Sequence, residues 1–448
     1  MKKTALLLTV LLVHPLAAQQ SKPAGLQVER NAQVADLVGA VAPDHMQRYL
    51  TKLVGFGTRH TLSDTVSNTR GIGAARRYIY EQYQQMSKAC GGCLDVYYDS
   101  HIVSAPRTNN QPVNVVNVVA KLKGRTDPNR VIVMMGHYDS CQCNIRGGDP
   151  AGDAPGANDD GSGTVEMMEL ARVFSQKFPQ GLDATVMFVT VAGEEQGLLG
   201  ATGLADTLLG DPALHVQAAF TNDVAGNIYD PKGRADSLTM RVFGPEPDDG
   251  ASRNLARFVK AVGETYQPNF QVRVIERLDR MGRGGDHRPF WDRGVAAVRF
   301  SESFEDHRHQ HYPEDKLEFV SFPYMQKIAR VNAATAAHLA LAPAAPDSLR
   351  IRRNTQVSGH DFTLSWKAPA NAPDLAGYEI TLRSTTSPYV DRVIPVGNVT
   401  TYKLENTQAD DMWVGVRSVD KDGFRSPVAS FHSPESLPRY MTERRQGR

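Results

Sequence analysis

From about residue 43 to residue 342 the chain alternates short apolar runs with amphipathic stretches. RVIVMM (Arg130 to Met135), ATVMFVTVA (Ala184 to Ala192), VQAAFTND and AAVRFSES are apolar runs bounded by polar turns. Such runs suit strands buried on both faces of a mainly parallel sheet. TVEMMELARVFSQ puts Met167, Leu170, Ala171 and Phe174 on one apolar helix face, and NLARFVKAVGETY and PYMQKIARVNAATAAHLALA read the same way. Alternating strands and helices predict an α/β three-layer sandwich with a mainly parallel central sheet.

The texture changes after LAPAAPDS, whose Ala and Pro content marks a linker over residues 343–348. FTLSWKAP, GYEITLR, TYKLEN and MWVGVRSVD are short alternating strands separated by turn residues. They predict a small all-β sandwich over residues 349–435, with Trp366, Tyr378 and Val416 in its core and a tail from 436 to 448. SW-x-x-P, GYEI and VRSVDKDGFRSP together resemble a fibronectin type III domain. The unit has no cluster of ligands, so it reads as a module that holds the protein to a surface or polymer, or as a spacer.

At the other end, Lys2 and Lys3 precede a mostly apolar run from Ala5 to Val13 and small residues at Ala17 and Ala18. This is the layout of a signal peptide over residues 1–18, cleaved after Ala18. The run is shorter than the roughly 20 apolar residues of a spanning helix, and no later stretch is long enough. The expected destination is outside the cytoplasm, periplasmic or extracellular, with no membrane span after cleavage. Residues 19–42 read as an N-terminal arm or a first helix. The formal charge of +1 gives no reason to expect a nucleic-acid partner.

Export permits disulfides. The four cysteines are Cys90, Cys93, Cys141 and Cys143. Structural bridges, a redox pair or a thiolate zinc site all fit four cysteines, and three pairings are open. A bridge at Cys141 and Cys143 would stiffen the loop after HYDS.

Five clusters of acids and histidines lie in or near turns that follow predicted strands, where ligands of open α/β sheets bind. MMGHYDS carries His137 and Asp139. PGANDDGSG carries Asn158, Asp159 and Asp160 ahead of a helix, and fits a helix cap as well as a metal turn. VAGEEQGLLG ends a buried strand on Glu194 and Glu195, which are costly there without a cation or hydrogen bonds. FTNDVAGN carries Asp223. HRHQHYPEDKLE carries His307, His309 and His311. Each alone is a modest signal.

In this order the pieces HYDS, PGANDDGSG, GEEQGLLGA, NDVAG, GGDHRPFWDRGVAA and HQHYPEDKLE resemble metallopeptidase family twenty-eight, in its secreted bacterial di-zinc aminopeptidase form, over roughly Met46 to Ala340. The resemblance implies a zinc exopeptidase-like catalytic domain over residues 43–342, two zinc ions and peptide substrates. It implies that His137 and Asp223 hold one zinc, that Glu195 and His311 hold the other, and that Asp159 bridges them. Glu194 would be the general base toward the metal-bridging water, and Asp139 would orient His137. His309 is the alternative to His311. The family's serine near a Ser-Asp-His element is replaced by Gly285, with Asp286 and His287 kept and no tyrosine nearby. Arg280 or Arg283 is then the candidate oxyanion donor. A carboxypeptidase or dipeptidase of the same family, a glutaminyl cyclase-like acyltransferase and a non-catalytic module are the alternatives.

Overall fold

A computed structural model of the chain describes residues 28–245, 249–278, 284–353, 361–387, 389–407 and 411–431. The expected signal peptide, Arg280, Arg283 and the expected tail lie outside these residues. In chain order the elements are α1 (Ala32–Gly39), α2 (Pro43–Val54), α3 (Gly71–Ala89), β1 (Leu94–Val103), β2 (Val113–Leu122), β3 (Asp127–His137), α4 (Gly161–Lys177), β4 (Ala184–Val191), α5 (Leu199–Gly210), β5 (His215–Asn222), β6 (Thr239–Phe243), α6 (Ala251–Tyr266), β7 (Gln271–Ile275), α7 (Arg288–Trp291), β8 (Ala297–Glu302) and α8 (Phe322–Leu341). Seven further strands follow: β9 (Asp347–Arg353), β10 (Phe362–Lys367), β11 (Leu375–Ser384), β12 (Arg392–Gly397), β13 (Thr401–Leu404), β14 (Met412–Asp420) and β15 (Ala429–Ser430).

The first eight strands form one sheet in the order β1-β2-β4-β3-β5-β8-β6-β7. The central strands β4, β3, β5 and β8 are parallel, while β1–β2, β2–β4 and β6–β8 pair antiparallel. Alternate residues of the same strand separate the layers. Ile132 and Met134 face a core shared with α1, α2, α3, α4, α6 and α8, whereas Val131, Val133 and Met135 face a smaller core with α5 and α7. This is the three-layer sandwich expected from the apolar runs. No described helix is long and apolar enough to cross a membrane.

Two local readings change. Part of the stretch read as an arm or a first helix is α1, whose Val34, Leu37 and Val38 are buried in the main core. Its link to α2 is pinned on α4: the Ala42 N–H donates to Glu169 Oε1 at 2.7 Å, and Arg172 donates to the Ala40 carbonyl at 2.8 Å. The apolar face read on α4 is also only part of its buried surface. The sheet covers one side and α2, α3 and α8 cover others, so even Glu166 is fully buried. Neither Glu166 carboxyl oxygen has a hydrogen-bond partner among the described residues, and burial alone pushes its pKa well up.

A buried polar group without a partner costs about 1–3 kcal/mol. Glu166→Met is therefore expected to raise stability by about that amount. The gain should be larger at pH 8 than at pH 5. Above its ordinary pKa the unfolded carboxyl loses its proton while the folded one keeps it, so the wild type loses stability as pH rises. Thermal melts of both proteins at the two pH values test this. A variant that melts lower at both would overturn it.

The C-terminal strands form a three-stranded sheet, β13-β10-β9, and a four-stranded sheet, β12-β11-β14-β15, both antiparallel. Trp366, Tyr378 and Val416 lie in the shared core, where the two rings meet edge-on at 5.3 Å. Strand β9 begins at Asp347, inside the stretch read as a linker. The unit is docked on the larger one: Asp249 accepts from Arg383 and Ser430 at 2.6 Å each, and Phe424 packs edge-on against His338 in the main core.

Candidate metal centre

The parallel strands β3, β4 and β5 end side by side, with Met135 in register with Val189 and Thr221. His137 is the last residue of β3, Glu194 and Glu195 follow β4, and Asp223 follows β5. One end of the sheet therefore collects donors that are far apart in sequence.

PGANDDGSG serves as cap and turn at once. Asp160 caps α4, its Oδ1 accepting from the Gly163 N–H at 2.9 Å, and its Oδ2 accepts from the His137 N–H at 3.0 Å. The helix end sits so close to β3 that a Cβ at Gly136 would lie 2.5 Å from the Gly163 carbonyl carbon. Asp159, one residue earlier, turns the other way. Its Oδ1 is 3.3 Å from His137 Nε2 and its Oδ2 is 3.0 Å from His311 Nε2, which is also 3.2 Å from Glu195 Oε2. Two groups of donors thus share one aspartate: His137, Asp159 and Asp223, then Asp159, Glu195 and His311, each with donor atoms within 4.8 Å of one another.

The other two histidines of HRHQH join neither donor group. His309 stacks on Phe319 at 3.9 Å, and His307 Nδ1 pairs with Gln310 Oε1 at 2.6 Å. Asp139 meets more than the imidazole. His137 Nδ1 lies 3.1 Å from the Asp139 main-chain carbonyl but 3.6 Å from its carboxylate. That carboxylate also accepts from the N–H groups of Glu194 at 3.3 Å and Glu195 at 3.2 Å, and from the Thr61 hydroxyl at 3.2 Å. The carbonyl is the nearer of the two Asp139 groups to the imidazole, and the carboxylate lies between it and the two backbone N–H groups of the glutamate turn.

Several supporting residues carry no signal in the sequence. Buried Arg59 donates to the carbonyls of Tyr138 at 2.6 Å and Gly156 at 2.8 Å, and also to that of Pro155. It ties the turn after β3 to the turn before α4. Buried Arg299 bonds the Asp223 carbonyl and lies 3.3 Å from its Oδ1. Asp315, the last residue of HYPED, accepts from the N–H groups of Asn158 at 2.9 Å and Asp159 at 2.8 Å. Only Asp315 had a clue, its place at the end of that motif.

The site is crowded with negative charge. Burial is the main force raising the pKa of Glu194, with Glu195, Asp223 and Asp286 adding to it against the pull of His137. Burial and neighbouring acids push Asp286 up to about 8, and burial pushes Asp315 up to about 7 despite its backbone hydrogen bonds. Burial opposes a charge on His311, but its bonds to Asp159 and Glu195 prevail and carry it to about 11. Burial likewise opposes charge on Asp159, yet His137 and His311 hold its pKa well below the usual range. Glu195 Oε1 and both Asp286 oxygens are buried without a partner among the described residues. Two imidazoles do not balance this set of carboxylates, and cations would.

Asp159, Glu195, Asp223 and His311 open into a cavity of about 700 Å³, lined also by Arg107, Asn144, Leu198, His307 and Gln310. The bridges are local, Cys90–Cys93 and Cys141–Cys143. Cys143 lines the cavity, so the second bridge lies on its rim. Cys141 and Cys143 also sit near Glu195, but as a disulfide they offer no thiolate. A larger hollow of about 1030 Å³ lies between α6, β7 and the C-terminal sheets. None of the donor groups lines it, so the smaller cavity is the one with chemistry.

A family model described as Peptidase family M28 matches residues 117–336. A protein from Pyricularia oryzae described as "Probable zinc metalloprotease" is 38% identical, over 91% of this chain and 86% of its own length. Among solved structures, the LapA aminopeptidase of Legionella pneumophila is similar with a TM-score of 0.55 and 22% identity, covering 72% of this chain and 78% of that one. A glutaminyl cyclase of Porphyromonas gingivalis is similar with a TM-score of 0.50 and 14% identity, covering 66% and 98%. At these identities the structural likenesses speak to the fold alone.

Proposed function

The chain belongs to peptidase family M28, and from that premise we propose that it is a secreted two-zinc aminopeptidase that removes N-terminal residues from peptides. The observation that carries the reading is Asp159, whose two carboxylate oxygens each face a different histidine. On this reading His137 and Asp223 would hold one zinc, Glu195 and His311 would hold the other, and Asp159 would serve both. The donors suit the metal: imidazole nitrogens and carboxylate oxygens are ordinary zinc ligands, and the buried, unpartnered Glu195 Oε1 is a ligand atom in waiting. Bound there, the ions would polarise the scissile carbonyl and bring the pKa of water toward neutrality.

The protein's own groups do the rest. Glu194 lies outside both donor groups yet lines the cavity. Its carboxylate takes a proton from the attacking water and passes it to the leaving amine. Much of what keeps that carboxyl protonated is burial beside Glu195 and Asp223. Cations held by those neighbours would offset the repulsion and favour the Glu194 carboxylate against its burial. Asp139 holds the backbone of Glu194 and Glu195 in place. Arg299 backs Asp223 from behind.

Lys2, Lys3 and the apolar run after them support export. The three-stranded and four-stranded sheets support a fibronectin type III-like reading of the C-terminal unit, to which we assign a holding role toward a surface or polymer. The test is to count bound metal and assay amino-acid anilides with free and blocked N-termini. Two zincs per chain, with activity lost to a chelator and to N-terminal blocking, is the expected result. A single zinc with pyroglutamyl product from glutaminyl peptides would mean a cyclase. Cleavage from the carboxyl end alone would keep the metals and reverse the polarity of the substrate.

A further inference from the structure

We propose that Arg107 is a specificity-determining residue that pairs with a carboxylate on the substrate, on the side of the scissile bond away from the free amine. The inference rests on the peptidase reading above and adds the substrate class: dipeptides and other short peptides with a free C-terminus, or peptides with an acidic residue after the scissile bond.

Arg107 lies in a single 3-10 turn, Pro106–Thr108, within the connection from β1 to β2. Thr108 anchors the turn. It is 1% exposed, its hydroxyl is 3.0 Å from the carbonyls of Ala105 and Gln111, and it accepts from the Ala105 N–H at 2.9 Å. From this fixed base Arg107 reaches across to the glutamate turn, where Nη1 donates to the Glu195 main-chain carbonyl at 2.6 Å. The guanidinium is thereby held beside the donor groups, with one nitrogen engaged.

Two cavities meet at this side chain. The first, about 700 Å³, is lined by Asp159, Glu195, Asp223 and His311; the second, about 290 Å³, is lined by His60, Gln142, Asp149 and Gln196. Arg107, Cys143 and Glu195 line both. Among the described lining residues Arg107 is the one with a permanent positive charge. No described carboxylate lies within ion-pair distance of it, although the site is full of carboxylates that are paired or packed elsewhere. A guanidinium presents a planar fork of five N–H donors that matches a carboxylate, and a donor bonded only to a carbonyl keeps most of that fork available. Its charge repels a substrate ammonium, so the free amine lies away from it and the carboxyl-bearing part lies toward it.

A purely structural role, clasping the glutamate turn, would affect all substrates alike. The experiment uses the zinc-loaded protein and its Arg107→Gln and Arg107→Lys variants, with four substrates: leucyl-alanine, leucyl-alanine amide, leucyl-glutamate α-amide and leucyl-glutamine amide. The wild type is expected to prefer a substrate with a free carboxylate over its neutral counterpart. The Arg107→Gln variant should lose about 10- to 100-fold of that preference, mainly in KM, with zinc content and melting temperature unchanged. Arg107→Lys should restore part of it. Preference within the first pair assigns the C-terminal carboxylate, and preference within the second assigns an acidic side chain. Hydrolysis without any carboxylate preference, or equal losses on all four substrates, would overturn this inference alone. Failure of the zinc-loaded wild type to hydrolyse any of them would overturn the peptidase reading with it.

Discussion

Replacing Glu194 with glutamine is expected to lower kcat by about 10²- to 10⁴-fold, with zinc content unchanged and KM little altered. The expectation follows from position. Glu194 belongs to neither donor group, while its neighbour Glu195 belongs to one of them. Glutamine keeps the shape and the backbone N–H that binds Asp139 but cannot accept a proton. Metal analysis beside steady-state kinetics separates the outcomes. A variant within tenfold of the wild type would remove Glu194 from the proton path. A variant that loses zinc would make it a ligand instead.

Removing the metal should reverse the way stability depends on pH. In the metal-free protein burial holds Asp315 near 7, and burial with like charges holds Asp286 near 8. Glu194 and Asp160 are held well above the usual range, burial again being the main cause. Unfolded carboxyls titrate near 4. Between about pH 4 and pH 8 the unfolded chain sheds protons that the folded chain keeps, so stability falls as pH rises. His311, raised to about 11, adds to the decline above its ordinary value of 6.5. Asp159, held well below 3.8, contributes fully across the window and does not change the sign. The loss should be on the order of several kcal/mol. With zinc bound, ligands must be deprotonated, so metal stabilisation grows with pH. It should reach about 4 kcal/mol when free zinc exceeds Kd a thousandfold. Melting curves of stripped and loaded protein from pH 5 to pH 8 should diverge. Parallel curves would show that these acids do not face the metal.

The donors are legible in the sequence because their chemistry constrains residue type and place together. HYD, GEE and ND put a carboxylate or imidazole just after an apolar run, where an unpaired charge would otherwise be costly, while ANDD and HYPED put theirs in polar turns. The frame is legible too, since short apolar runs such as RVIVMM and ATVMFVTVA suit buried strands. The short outer strands β6 and β7 leave no such mark. Arg59 is invisible because its worth lies in carbonyls brought to it from residues 138, 155 and 156, and a carbonyl has no sequence identity. Arg107 is invisible because it reaches its partner 88 residues away through a tight turn. The second role of Asp139 was hidden too: nothing in H-x-D says whether the imidazole meets the carboxylate or the carbonyl. For α4 the period revealed an apolar face but not how many layers would cover the helix.

The order in which the donors occur along the chain has a consequence for the protein's biogenesis. They come from five separate turns between His137 and His311, and neither donor group draws on a single turn. A chain that is half-synthesised, or clipped before HYPED, lacks the imidazole of the second group and the carboxylate of Asp315 that steadies Asp159. On the proposed reading, hydrolytic competence would arrive late, with the last donor turn. Incomplete copies would on that reading be inert without an inhibitor, because the second donor group closes only with His311.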